Sequence, residues 1–337
     1  MGDRLAIVGG DAAGMSAATN ARRRDADLEI VAFERGPYTS YSACGIPYYV
    51  GDLVHEIGDL VVRSAERHRE NGIDARTGAE VIGIDLAARE LTVRADGAES
   101  REPFDRLVLA TGARAVALPI PGVEATEPAR TLDAAERFRA QVEAQHGDAA
   151  VVVGAGYIGI EMAEALVQRG LRVSLVERAD QVFPVLDADM ADHVREAAEG
   201  VGIEVHTGTA VEEVLVGDDG APRGVRTSEG ELPARHVVMA TGVVPDVALA
   251  TAAGLPIGES GALAVDDRQR AGDGVWAAGD CVESHHRLLG RGVNVQLGTH
   301  ANKQGRIAGV NAAGGDLAFP GVIGTAISRI CKREVAL

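Results

Sequence analysis

One order of elements occurs twice in this chain, and it restricts the fold more than any other feature. An apolar strand enters a glycine turn. A helix follows, then a strand ending on an acid, an antiparallel segment, and a strand closing in Ala-Thr-Gly. The first copy reads Leu5–Val8, Gly9–Gly14, Met15–Arg24, Leu28–Glu34, Asp74–Ala98 with an Asp96-Gly97 turn, and Leu107–Ala110 into Thr111-Gly112. The second reads Ala149–Val153, Gly154–Gly159, Tyr157–Gln168 ended by Gly170, Arg172–Glu177, Glu204–Leu232 with an Asp219-Gly220 turn, and Val237–Ala240 into Thr241-Gly242. A strand–turn–helix–strand order of this kind makes a parallel sheet covered by helices. The period is that of a whole domain rather than of a short repeat. The expected fold is therefore α/β, with two dinucleotide-binding domains.

Between and after the copies the signals are weaker. Gly51–Val62 reads as loop with weak helix, and Ser64–Asn71 as a polar helix closed by Gly72. Pro119, Pro121 and Gly122 mark a linker, Asp133–Gln145 a helix, and Ala301–Ala312 a further helix.

A glycine turn at a helix start lets backbone N–H groups and the helix dipole meet a pyrophosphate. Gly154, Gly156 and Gly159 complete the Gly-x-Gly-x-x-Gly pattern, and Glu177 lies about 20 residues on, where a carboxylate meets a ribose 2′-hydroxyl. A carboxylate there repels a 2′-phosphate, so NADH is favoured over NADPH; Arg178 softens the preference and leaves NADPH possible. The first turn departs from the pattern. Gly9 and Gly14 keep the outer spacing and Glu34 supplies the acid, but Asp11 stands where the middle glycine would be. With nicotinamide dinucleotide at one site, FAD is the natural occupant of the other. Trp276-Ala277-Ala278-Gly279-Asp280 agrees, since a strand ending in Ala-Gly-Asp brings an aspartate to a flavin ribitol.

Cys44 lies in Ser40-Tyr41-Ser42-Ala43-Cys44-Gly45-Ile46-Pro47-Tyr48-Tyr49, shortly after the acidic end of the first domain's second strand. The other cysteines, Cys281 and Cys331, are remote in sequence, so a Cys-x-x-Cys disulfide is not expected. Two dinucleotide folds and one cysteine beside the first suggest electrons passing from nicotinamide to flavin to sulfur. The partner of Cys44 is then a small thiol or its own oxidised sulfur. Cys281 reads as a small buried hydrophobe, and Trp276 as core. Adjacent His285 and His286 rarely present both rings to one ion, and no metal site is expected.

An excess of 50 acids over 33 bases gives a net charge of −17, which repels nucleic acid and anionic membrane. No apolar run approaches the ~20 residues of a membrane helix. Met1–Ala18 resembles a signal peptide only superficially, because the same residues supply the strand and glycine turn. Few, unpaired cysteines fit a reducing compartment and a cytoplasmic location.

These motifs together resemble the pyridine nucleotide–disulfide oxidoreductases, within them the coenzyme A disulfide reductase, NADH oxidase and persulfide reductase group. Gly9–Ala18, Ser40–Tyr49, Gly154–Leu166, Ala240–Asp246, Ala278–Asp280 and Leu297–Arg306 carry the resemblance, which covers nearly the whole chain. It implies a glutathione-reductase-type architecture: an FAD domain at 1–118 and 247–318, an NAD(P)H domain at 119–246 inserted in it, and at 319–337 the start of a truncated dimerisation domain. Full-length members are homodimers. It implies cofactor contacts at Gly9, Gly14, Glu34, Arg35, Ala110, Thr111, Gly112, Gly279, Asp280, Leu297, Thr299 and Ala301, and at Gly154, Gly156, Tyr157, Ile158, Gly159, Glu161, Glu177 and Gly242. Leu297–Ala301 would set a helix N-terminus over the flavin pyrimidine.

Cys44 would be the redox sulfur, cycling between thiolate and a mixed disulfide, its thiolate held by a nearby helix N-terminus. Ser16, Asn20, Arg23 and Ser40 would contact the substrate, coenzyme A disulfide or a related small disulfide. Arg22, Arg23 and Arg24 read either as a basic spot for a nucleotide 3′-phosphate or as a solvated helix end. Departures bear on the choice of acceptor. Ala12 replaces the histidine of oxidase and peroxidase relatives; Ala43 replaces an asparagine common in coenzyme A enzymes. NADH oxidation and persulfide or polysulfide reduction are the alternatives, and a flavin-binding remnant without turnover is the non-catalytic one.

Overall fold

A computed structural model describes residues 3–126, 130–144 and 147–336. Met1, Gln145 and Leu337, named above as ends of expected segments, lie outside the described residues. The described chain packs as two compact units. The first holds the described residues of Met1–Tyr41, Val61–Arg114 and Val244–Gly324; the second holds those of Ser42–Leu60, Ala115–Val243 and Thr325–Leu337. Cys44 therefore belongs to the second unit.

In the first unit a six-stranded sheet runs in the order Arg270–Gly272, Val275–Ala277, Arg106–Leu109, Arg4–Val8, Glu29–Glu34, Asp74–Thr77. All neighbours are parallel except the edge pair Arg270–Gly272 and Val275–Ala277. Side-chain alternation along Arg4–Val8 feeds two cores. Leu5 and Ile7 pack with Ala17, Ala18, Ala21 and Ala308 beneath the helices Ala12–Arg24 and Gly298–Ala312. Ala6 and Val8 pack on the other face with Val31, Phe33, Leu91 and Val93. Leu91 and Val93 come from the antiparallel sheet Ala79–Asp85, Glu90–Ala95, Ala98–Pro103, turned at Gly97 as the Asp-Gly signal predicts.

The second unit repeats the plan on a smaller scale. Ile203–His206, Arg172–Val176, Ala149–Val153 and His236–Met239 form a parallel sheet, with Val211–Val216, Pro222–Thr227 and Gly230–Pro233 as the antiparallel layer. Its longer helices are Leu132–Ala144, Tyr157–Gln168 and Ala188–Gly200. The hairpin Ile327–Ile330 and Arg333–Ala336 turns at Cys331 and Lys332. It is tied to Tyr157–Gln168: the Cys331 N–H donates to Glu164 at 2.7 Å and the Ser328 hydroxyl donates to Glu161.

Two helices begin earlier than periodicity predicts, at Ala12 rather than Met15 and at Gly298 rather than Ala301. Small residues carry little hydrophobic pattern, so the first turn is invisible to it. Trp276 and Cys281 are core residues, as expected.

Candidate functional site

In the first unit, strand Arg4–Val8 delivers the chain to Gly9, which takes φ +107° and donates its N–H to the Phe33 carbonyl at 2.9 Å. A side chain cannot be accommodated there, since a Cβ on Gly9 would lie 2.1 Å from the Ala110 carbonyl oxygen. Gly14 is as constrained, 1.9 Å from the Gly9 carbonyl oxygen by the same construction. Glu34 closes the turn: its carboxylate accepts from the N–H groups of Gly10 and Gly36, both at 2.7 Å. Thr111 donates to the Asp246 carbonyl at 2.6 Å, and Gly112 follows with φ +71°. Arg35 is exposed.

Gly279 and the helix Gly298–Ala312 arrive at the same turn. A Cβ on Gly279 would lie 2.9 Å from Ala13 Cβ and 3.7 Å from Ala301 Cβ. The buried Gln304 accepts from the Gly279 N–H at 2.9 Å and donates to Ser284 at 2.7 Å. Leu297 caps the long helix without a side-chain bond, Thr299 is exposed, and its first turn holds no acid. Burial, with the Glu34 and Asp280 carboxylates adding to it, pushes the pKa of Asp11 up to about 6 against the opposing Tyr41 N–H bond. Asp11 accepts from the Tyr41 N–H at 3.0 Å.

Ser16, Asn20 and Arg23 follow one another along one stripe of Ala12–Arg24. Ser16 donates to the Asn302 carbonyl at 2.9 Å, Asn20 to the Ser16 carbonyl at 2.8 Å, and Arg23 is exposed. Arg22 does not join a basic spot. Its guanidinium is spent on the carbonyls of Asp25, Ala26, Leu28 and Gly72, which closes the helix end structurally. Ser40, at φ +47°, pairs its hydroxyl with His68 Nε2 at 2.9 Å. His68 is 1% exposed, and burial lowers its pKa to about 4, so it is neutral. Nothing in the sequence signalled this pair, because a lone histidine in a polar helix looks like surface.

The second unit repeats the turn. Gly154 takes φ +103° and donates to the Val176 carbonyl at 2.7 Å; its Cβ would meet the Ala240 carbonyl oxygen at 2.4 Å. A Cβ on Gly159 would meet the Gly154 carbonyl oxygen at 1.8 Å. Glu177 accepts from the Ala155 and Ala179 N–H groups, each at 2.8 Å, as Glu34 does in the first copy. Thr241 donates to the Val116 carbonyl at 2.9 Å and Gly242 has φ +96°. Ile158 is exposed. Tyr157 stands edge-on to Phe183, ring centroids 4.3 Å apart, and its buried hydroxyl has no hydrogen-bond partner. Burial, opposed by the Ser328 bond, raises the pKa of Glu161.

Cys44 is an exposed thiol in the one-turn 3-10 segment Ala43–Gly45, continuous with the short helix Ile46–Val50. Gly45 lets Leu60 approach: a Cβ would lie 2.3 Å from its Cδ2. Arg139 holds the stretch beyond. It donates to the carbonyls of Tyr49, Val54 and His55, pairs with Asp52 at 2.6 Å, and lies 4.5 Å over the Tyr49 ring. His286 Nδ1 accepts from Leu288 and Leu289, and among the described residues no group of three metal-ligating side chains occurs.

The model for the family "pyridine nucleotide-disulphide oxidoreductase" matches residues 3–305, and the chain belongs to that family. An NAD(P)H coenzyme A polysulfide/persulfide reductase of Pyrococcus horikoshii is 35% identical, over 99% of this chain and 75% of the relative. A coenzyme A disulfide reductase of Staphylococcus aureus is 26% identical, over 96% and 74%. Among solved structures, an NAD-dependent persulfide reductase from A. fulgidus superposes with a TM-score of 0.93 at 39% identity, over 97% of this chain and 62% of that one. The chain thus spans less than two thirds of that structure.

Family membership makes FAD and NAD(P)H the cofactors, and the residues fit them. Gly156 has nothing within 4 Å of its would-be Cβ, so the protein's own packing does not demand glycine there; close approach of a phosphate would. The partnerless Tyr157 hydroxyl and the uncapped start of Gly298–Ala312 are polar groups of the kind a bound cofactor satisfies.

Proposed function

We propose that this chain uses NADH to reduce the sulfur–sulfur bond of a small disulfide, coenzyme A disulfide being the leading form, through Cys44. The observation that carries this reading is that Cys44 is an exposed thiol while Cys281 and Cys331 are buried, in a chain that also forms two dinucleotide turns. FAD, held at Gly9–Gly14, Glu34, Gly279–Asp280 and Leu297–Ala301, would supply the two electrons taken from NADH at Gly154–Gly159 and Glu177. The thiolate of Cys44 attacks one sulfur of the substrate. A Cys44–S bond forms, the substrate S–S bond breaks, and the first thiol leaves. Two electrons and a proton then release the second thiol and return Cys44 to thiolate. Glu177, fixed by two backbone N–H groups, keeps a carboxylate where a 2′-phosphate would sit, which supports NADH over NADPH. Ser16, Asn20, Arg23 and Ser40 are proposed substrate contacts.

A second reading, reduction of a coenzyme A persulfide or polysulfide, is favoured by the names of the relatives at 35% and 39% identity. The product decides: thiol alone from a disulfide, sulfide from a persulfide. Cys44→Ser should leave FAD reduction by NADH intact under anaerobic conditions and abolish thiol release from coenzyme A disulfide. Thiol release at the original rate would end the Cys44 reading.

A further inference from the structure

The first glycine turn carries an aspartate where the fingerprint calls for glycine, and nothing so far explains it. Electrostatically the choice is unfavourable. Asp11 adds a carboxylate to a turn that already faces Glu34 and Asp280 and that is shaped for a pyrophosphate. It stands at the N-cap position of Ala12–Arg24, where an aspartate ordinarily accepts from the first turn of its own helix. It makes no such cap bond. Its Oδ1 reaches instead thirty residues along the chain to the Tyr41 N–H, at 3.0 Å.

That bond completes a set. The Ser40 N–H donates to the Gly10 carbonyl at 3.0 Å, the Val62 N–H donates to the Ser40 carbonyl at 2.9 Å, and the Ser40 hydroxyl meets His68 at 2.9 Å. Ser40 itself is in the left-handed region at φ +47°, a conformation a serine keeps only when its surroundings over-determine it. From Tyr41 the chain runs on to Cys44 three residues later.

We infer that Asp11 is a positioning residue: it anchors the Tyr41 backbone to the glycine turn and so fixes where the cysteine-bearing segment leaves that turn. A glycine at this position would satisfy the pyrophosphate but could not make the tether. The consequence for turnover rests on the reading of Cys44 as the redox thiol; the tether itself does not.

The test compares D11G, which restores the strict glycine fingerprint, with D11N, which keeps an oxygen acceptor without the charge. Residue-resolved hydrogen–deuterium exchange is measured on the full FAD-loaded chain. In D11G the Tyr41 amide should exchange roughly 10- to 100-fold faster, the range for losing one bond to a charged acceptor. FAD should stay bound and kcat for thiol release should fall, with kcat/KM for NADH unchanged. D11N should restore most of the protection and of kcat. Unchanged Tyr41 exchange in D11G would overturn the inference. So would loss of FAD in D11G, which would assign Asp11 to holding the cofactor. If Cys44→Ser kept full turnover while D11G still exposed Tyr41, the tether would stand and the reading of Cys44 would fall.

Discussion

At the scale of single residues, the chain invests partly buried polar groups in holding backbone. Glu34 and Glu177 each bridge two N–H groups, Arg22 and Arg139 each bind several carbonyls, and Asp11 holds one distant amide. His68 belongs with these, and it has a pH signature. Its folded pKa, about 4, lies below the ordinary 6.5 because burial disfavours the imidazolium, with Arg63 adding to the effect. Between those values the unfolded chain binds more protons, so the stability that neutral His68 contributes is present above pH 6.5 and is lost as pH falls towards about 4. Replacing His68 by Phe should flatten the decline of the urea midpoint across that window, whatever its effect at pH 7.5. A decline as steep as in the unaltered protein would show that other groups govern the acid limb. Of these residues, the two glutamates were legible in the sequence, because each ends a strand at a set distance from a glycine. Asp11 was visible only as a departure, and His68 not at all, since its partner Ser40 lies far off in sequence.

At the scale of elements, one helix contact organises the first turn. A Cβ on Gly305 would lie 2.2 Å from the Ala13 carbonyl oxygen, and one on Gly309 2.1 Å from that of Ala17. The two glycines share one face of Gly298–Ala312 and let it lie directly on Ala12–Arg24, backbone to backbone. This contact carries Leu297–Ala301 to the turn that starts Ala12–Arg24. Gly309→Ala should therefore force the helices apart, at a cost of about 1–3 kcal/mol or more, because the obstacle is backbone rather than a mobile side chain. A lowered melting temperature and faster FAD release are the expected outcomes. An unchanged melting curve would show that the pair can separate freely. The helix was readable from its composition, but its role as the neighbour of a helix nearly three hundred residues earlier was not.

For the whole molecule, two units with separate cores and the same turn geometry predict separable defects. Gly159 has no room for a methyl group, 1.8 Å from the Gly154 carbonyl oxygen. Gly159→Ala should abolish NADH-dependent reduction by 10-fold or more while FAD remains bound with its normal absorbance. Loss of FAD along with NADH would contradict the independence of the two turns.

What the sequence determined by itself was the duplicated α/β plan, the two phosphate turns, their closing acids and the candidate thiol. These depend on residues within a few turns of one another, where spacing and steric rules act directly. The tertiary structure decided the rest. It assigned Arg22 to closing a helix rather than to a basic spot, tied Tyr41 to Asp11 and Ser40 to His68, and set the Gln304 side chain against the Gly279 N–H. Each of those depends on a contact between distant segments, and such contacts exist only once the sheets and helices have packed.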